Sequence, residues 1–150
     1  MEQSLKDLDK AFEAMLKKFP DARREVVENA GEKMQRKVLQ NISTTTKEVT
    51  GHLLEGVTLD IGSGGGYAAV RNDAKIAPHA HLVENGHKLV RGGPLKVPKK
   101  ELQSTNPRSA GAVVDWVPGK HMYRNAMNDL EDELIGDAEE MVEKLVGDLF

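Results

Sequence analysis

The chain has 150 residues, no cysteine, an aromatic content of 4% and a formal net charge of −3. That length suits one domain with one modest core, and the missing thiols exclude disulfides, thiolate metal sites and a cysteine nucleophile. The near-neutral total excludes a molecule that binds polyanions over its whole surface, yet the charge is unevenly placed: residues 118–150 carry three bases against nine acids, and residues 87–112 six bases against one acid.

Met1-Glu2-Gln3-Ser4 opens no basic region followed by an apolar run, and no stretch approaches the roughly 20 apolar residues that span a bilayer. A soluble, unprocessed chain without a membrane partner is the expectation. Leu5, Leu8, Phe12, Met15, Leu16 and Phe19 recur at spacings of three and four, which predicts a helix with one apolar stripe. Pro20 disfavours helical geometry at Phe19 and suits the first turn of a new helix, so a break or kink is expected there. A second helix carries Val26, Val27, Ala30, Met34, Val38 and Ile42 inward, and Ser43-Thr44-Thr45-Thr46 reads as a connection. The helical segment is placed at 4–42.

After Gly51 the period changes to two. Val57, Leu59 and Ile61 alternate with Thr58 and Asp60, and Tyr67, Ala69 and Arg71 resume the alternation beyond Gly62-Ser63-Gly64-Gly65-Gly66. This predicts a β-hairpin within 53–75 with a glycine-rich tip. A short helix over 78–85 follows Pro78 and stops at Gly86. Residues 87–111, rich in Gly, Pro, Lys and Arg, read as a flexible basic loop of a length that is usually functional or disordered. A strand at 112–117 and a helix at 118–147 complete the domain. Met122, Ala126, Leu130, Leu134, Ala138, Met141, Leu145 and Leu149 keep three-to-four spacing, with Gly136 costing roughly 1 kcal/mol relative to alanine. At 1.5 Å per residue the helix would run about 45 Å, longer than a small sheet can cover, so part of it is expected to meet another subunit. The fold class expected is α+β: an N-terminal helical segment, a small antiparallel sheet with a long loop, and a long C-terminal helix packed on the sheet.

Residues 58–67, Thr-Leu-Asp-Ile-Gly-Ser-Gly-Gly-Gly-Tyr, resemble the first motif of S-adenosylmethionine-dependent methyltransferases, and Glu84 lies where such a fold places the acid that binds the ribose. Against an enzyme of this kind, Tyr67–Val70 runs into Arg71-Asn72-Asp73 and then Pro78, leaving barely two turns for the required helix, His79–Glu84 is short and half polar where a strand buried on both faces is needed, and too little chain remains for the other strands. His79, His81 and His87 with Glu84 could be written as a metal cluster, but no further ligand spacing supports it. Ser63, His52 and Asp60 carry no weight as a catalytic triad. No catalytic, cofactor or metal residue is assigned, and no cofactor is expected.

The order of features along the chain resembles the small tail-component, or neck, family of long-tailed bacteriophages and prophages. The similarity rests on Thr50-Gly51-His52-Leu53, on Ala77-Pro78-His79-Ala80-His81-Leu82-Val83-Glu84-Asn85-Gly86-His87 and on Val117-Pro118 leading to Met122-Tyr123-Arg124-Asn125-Ala126, within roughly residues 5–147. His79 and His87 depart from the tyrosine and threonine usual there. The resemblance implies a non-enzymatic virion protein of the head–tail junction, present in the host cytoplasm during assembly. It also implies a ring of identical copies that joins or completes the tail beside connector, head-closure, tail-tube or tail-terminator proteins, with DNA passing through. Lys88, Arg91, Lys96, Lys99, Lys100 and Arg108 are then candidate contacts to a neighbouring subunit or ring. Contact with DNA phosphates is the weaker reading, since these bases are dispersed without interleaved aromatics. A DNA-binding accessory protein is a further alternative to the structural role.

Overall fold

The computed structural model describes residues 2–47, 51–90 and 113–148. The elements in chain order are α1 (Glu2–Thr45), α2 (His52–Glu55), β1 (Val57–Ile61), β2 (Ala68–Asn72), α3 (Ala80–Asn85), β3 (Gly86–Val90), β4 (Val113–Pro118) and α4 (Met122–Gly147). The α+β class expected from the sequence is the one found.

α1 runs unbroken through Pro20. Proline removes one helical hydrogen bond and crowds the carbonyl four residues back, at a cost of about 3 kcal/mol. Here Pro20 is exposed and Leu16, whose carbonyl loses its donor, is 65% exposed, so the loss falls on the solvent side of the helix. The helix also outlasts its expected end at 42. The hydroxyls of Ser43, Thr44, Thr45 and Thr46 donate to the carbonyls of Leu39, Gln40, Asn41 and Ile42 at 3.0, 3.0, 2.6 and 2.6 Å. Residues poor at propagating a helix here turn their side chains back onto the last turn.

β1 and β2 form an antiparallel hairpin with Leu59 opposite Val70 and Ile61 opposite Ala68. One face packs on the middle of α1, where Gly31 lets the two backbones approach: a Cβ there would lie 2.7 Å from a Leu59 methyl and 2.8 Å from the Ala68 methyl. The other face carries an Asp60–Arg71 ion pair at 3.0 Å. β3 and β4 form a second antiparallel ribbon, in register from Gly86–Pro118 to Leu89–Asp115 and irregular at Val90–Val113. The single sheet expected is therefore two separate ribbons among the described residues. The start of the segment read as flexible loop, His87 to Val90, is strand.

The final helix begins at Met122 rather than 118, and it lies antiparallel along α1 instead of across a sheet. Lys37, Lys33 and Lys18 meet Asp129, Asp137 and Asp148 in that order, and the Asn41 side-chain amide donates to the Met122 carbonyl at 2.9 Å. A two-stranded ribbon offers little area, whereas α1 offers a stripe long enough for the whole of α4, which spans about 39 Å. The core sits where α1, the hairpin and α4 converge, on Val38, Ile42, Val57, Met122 and Ala126. Among the described residues no helix is long and apolar enough to cross a membrane.

Candidate assembly surface

The two motifs that were matched at Ala77–His87 and Val117–Ala126 meet in space. The Asn72 amide donates to the Ala77 carbonyl at 2.8 Å, which ties the end of the hairpin to the approach to α3. α3 then presents Glu84 to the start of α4, where the carboxylate accepts the amides of Tyr123 (3.0 Å) and Arg124 (3.1 Å). These are two of the first-turn donors that no helical carbonyl can reach, and a negative charge there also suits the positive end of the helix dipole. His121, at the capping position with φ +50°, contributes no side-chain cap, so Glu84 performs from a distance what a local Ser or Asp usually does.

The backbone follows the same route. The amides of Lys120 and His121 donate to the carbonyls of Val83 and Glu84 at 2.7 and 3.1 Å. The approach is closed to any side chain: a Cβ on Gly119 would lie 2.3 Å from the Glu84 carbonyl oxygen, and one on Gly86, whose φ is +83°, 2.6 Å from that of Val117. Burial, and secondarily the charge of Glu84, pushes the Tyr123 hydroxyl up to about 12. The family-like Val-Glu-x-Gly segment is thus the clasp that fixes β3, β4 and α4 relative to one another.

The β3–β4 ribbon carries the basic segment. Lys88 is exposed on β3 directly opposite Trp116, itself 53% exposed. Arg91, Lys96, Lys99, Lys100 and Arg108 lie outside the described residues, so of the candidate contacts the structure places Lys88 alone. Below the ribbon an open groove of about 570 Å3 is lined by Leu53, Leu82, Val83, Val117, His79 and His87 among others.

The acidic character of α4 divides in two. Asp129, Glu133, Asp137 and Asp148 face α1 and pair with Lys37, Lys33 and Lys18. The hydrogen bonds that the Lys33 ammonium donates to Asp137 and Glu133 hold it above its ordinary pKa. Glu131, Asp132, Glu139 and Glu143 are exposed on other sides, and Glu140 lines the cleft between the two helices. About half of the charge that the sequence offers to a neighbour is therefore taken up within the chain.

The glycine-rich segment is the tip of the β1–β2 hairpin. Gly64 and Gly65 take φ of +76° and +69°, and the Gly62 amide donates to the Tyr67 carbonyl at 2.8 Å, which closes the turn. A strand folds back antiparallel where a methyltransferase requires a buried helix. His79 and His81 are exposed, the Nδ1 of His87 is buried without a partner, and among the described residues no three His, Asp or Glu side chains are placed to share a metal ion.

Two features escaped sequence reasoning. In the sequence Glu84 reads as a ribose-binding acid, a metal-cluster member or part of the family-like motif, whereas its capping role spans 39 residues, beyond the reach of local rules. The apolar stripe of the first helix was visible, but its exposure was not: Leu5, Leu8, Phe12, Leu16 and Phe19 all remain open to solvent.

In comparisons with known proteins, residues 6–86 match the family model HK97-gp10-like, described as "Bacteriophage HK97-gp10, putative tail-component". The match runs from the first turns of α1 to the first residue of β3, over half of the chain. No curated protein and no solved structure matches.

Proposed function

Since the chain belongs to the HK97-gp10-like family of phage tail components, we propose that it is a structural protein of the virion that forms a ring at the head–tail junction and joins or completes the tail. The observation that carries this reading is the family match over the long helix, the hairpin and the α3 motif, together with a clasp that uses those motif residues for architecture. Glu84 caps a helix, and the glycines of 62–66 turn a hairpin, so the residues that most suggested an enzyme are committed to structure. The protein acts by contact, without catalysis or cofactor.

In this reading Lys88, Arg91, Lys96, Lys99, Lys100 and Arg108 meet an acidic surface on the next subunit or the adjoining ring, either the connector and head-closure side or the tail tube and its terminator. The protein is made in the host cytoplasm and ends in the particle. Removing the gene from a phage or inducible prophage tests this: the expected outcome is filled heads and separate tails in the lysate, restored by the gene supplied in trans. Normal joined particles from the deletion would refute the role.

A further inference from the structure

We infer that the amino-terminal half of α1 is an arm that docks on the outer face of α4 in a second copy of this chain, an inference that rests on the ring reading above and supplies its contact. α1 is a 44-residue helix and α4 one of 26 residues laid antiparallel on it. α4 covers α1 from Asn41 back to Lys18, where Asp148 makes the last ion pair. Beyond that point the apolar stripe of α1 continues at unchanged three-to-four spacing through Phe19, Leu16, Met15, Phe12, Leu8 and Leu5. That is about 21 Å of helix at 1.5 Å per residue, with no element of the described chain alongside.

The exposures are large for side chains of this kind: Leu5 62%, Leu16 65% and Phe12 44%. A contiguous row of this length goes beyond the scattered apolar residues of an ordinary surface and marks an interaction site. It is also continuous with the seam that α4 already fills within the chain, so the surface has the form a helix fits.

The same chain offers that helix face. Ile135, Val142 and Val146, with Met127 nearer the start, form a second apolar row on α4, each 43–50% exposed and turned away from α1. Two like copies of this row repel, because Glu131, Asp132, Glu139 and Glu143 surround it. The arm is not acidic in this way: from Leu5 to Phe19 it holds four bases and three acids. Charge therefore disfavours α4 against α4, and the near-neutral arm meets α4 without that repulsion. A contact between two different faces of identical subunits passes from copy to copy and closes into a ring when the rotation allows.

The test places a photoreactive phenylalanine analogue at Phe12 of the full chain in assembled particles and maps the adducts by mass spectrometry. Adducts within residues 127–146, in a species of twice the chain's mass, are the expected result. Val142→Lys should reduce them at least tenfold while leaving the circular dichroism spectrum and Tm of the purified chain unchanged, since that side chain is exposed. Adducts to α1 of the second copy, to another virion protein or within the same copy overturn the inference, as does an unlinked chain. Absence of the protein from particles would defeat the ring reading instead, and the same adducts sought in the concentrated purified chain would then decide the interface by itself.

Discussion

The carboxylate of Glu84 accepts the backbone amide of Tyr123 at 3.0 Å, so a residue of α3 closes the first turn of a helix across a separation of 39 positions in the chain. Only tertiary structure can hold such a cap, and its loss should be felt at every element it joins. Glu84→Ala is expected to cost about 1–2 kcal/mol, with Glu84→Gln intermediate because an amide oxygen still accepts but carries no charge. Urea denaturation of the purified variants measures this, and an unchanged midpoint for Glu84→Ala would show that water replaces the cap.

Tyr123 supplies a pH dependence of known sign. Its hydroxyl is pushed up to about 12 from an ordinary 10, first by burial and then by Glu84. The folded protein keeps a proton that the unfolded chain releases, so this stabilisation is complete below pH 10 and declines as pH rises from 10 toward 12. A spectrophotometric titration in a Tyr67→Phe background, which leaves Tyr123 as the one tyrosine, should place the midpoint near 12, and Glu84→Gln should lower it.

Two helical glycines should respond in opposite directions. Gly31 is pressed on the hairpin, so Gly31→Val should drive α1 away from Leu59 and Ala68 and cost about 1–3 kcal/mol. Gly136 in α4 has nothing within 4 Å of a Cβ, and Gly136→Ala should stabilise by roughly 0.5–1 kcal/mol. Thermal unfolding of the pair separates close packing from simple backbone entropy.

The lysine clamp between α1 and α4 should depend on salt and on alkali. Lys33→Met removes the partner of Glu133 and Asp137 and is expected to lower Tm in dilute buffer, with the difference shrinking in about molar salt as the charges are screened. The Lys33 ammonium is held above its ordinary 10.5, so its contribution is present below that pH and disappears as pH climbs beyond it.

The periodic residues made both long helices and the hairpin legible from the sequence, because spacings of three-to-four and of two are imposed by backbone geometry. Periodicity reports that a face is apolar and leaves open what covers it. Leu5, Leu8 and Phe12 look the same in sequence as Val26, Met34 and Val38, yet the first group is exposed and the second lies among the chain's own elements. Pro20 and the run Ser43–Thr46 misled for a different reason: local rules weigh a residue's average preference, whereas a solvent-side position and back-bonded hydroxyls eased the penalty here. The junction of α3 with α4 could be seen only as two motifs of unknown purpose, since its bonds join parts of the chain far apart in sequence. Of the six basic residues proposed as contacts, Lys88 alone lies among the described residues.

The β3–β4 ribbon has a consequence for how such a protein can diversify. Val90 and Val113 pair, so the chain departs for residues 91–112 and returns at neighbouring points of a fixed frame. The entropic charge for closing a loop across that gap grows only with the logarithm of its length, about 0.6 kcal/mol for each doubling. A change of chain length between those two valines is expected to alter the cost of closing the ribbon by only a few tenths of a kcal/mol. The ribbon thus supplies two fixed anchor points between which the length of chain can vary at little closure cost.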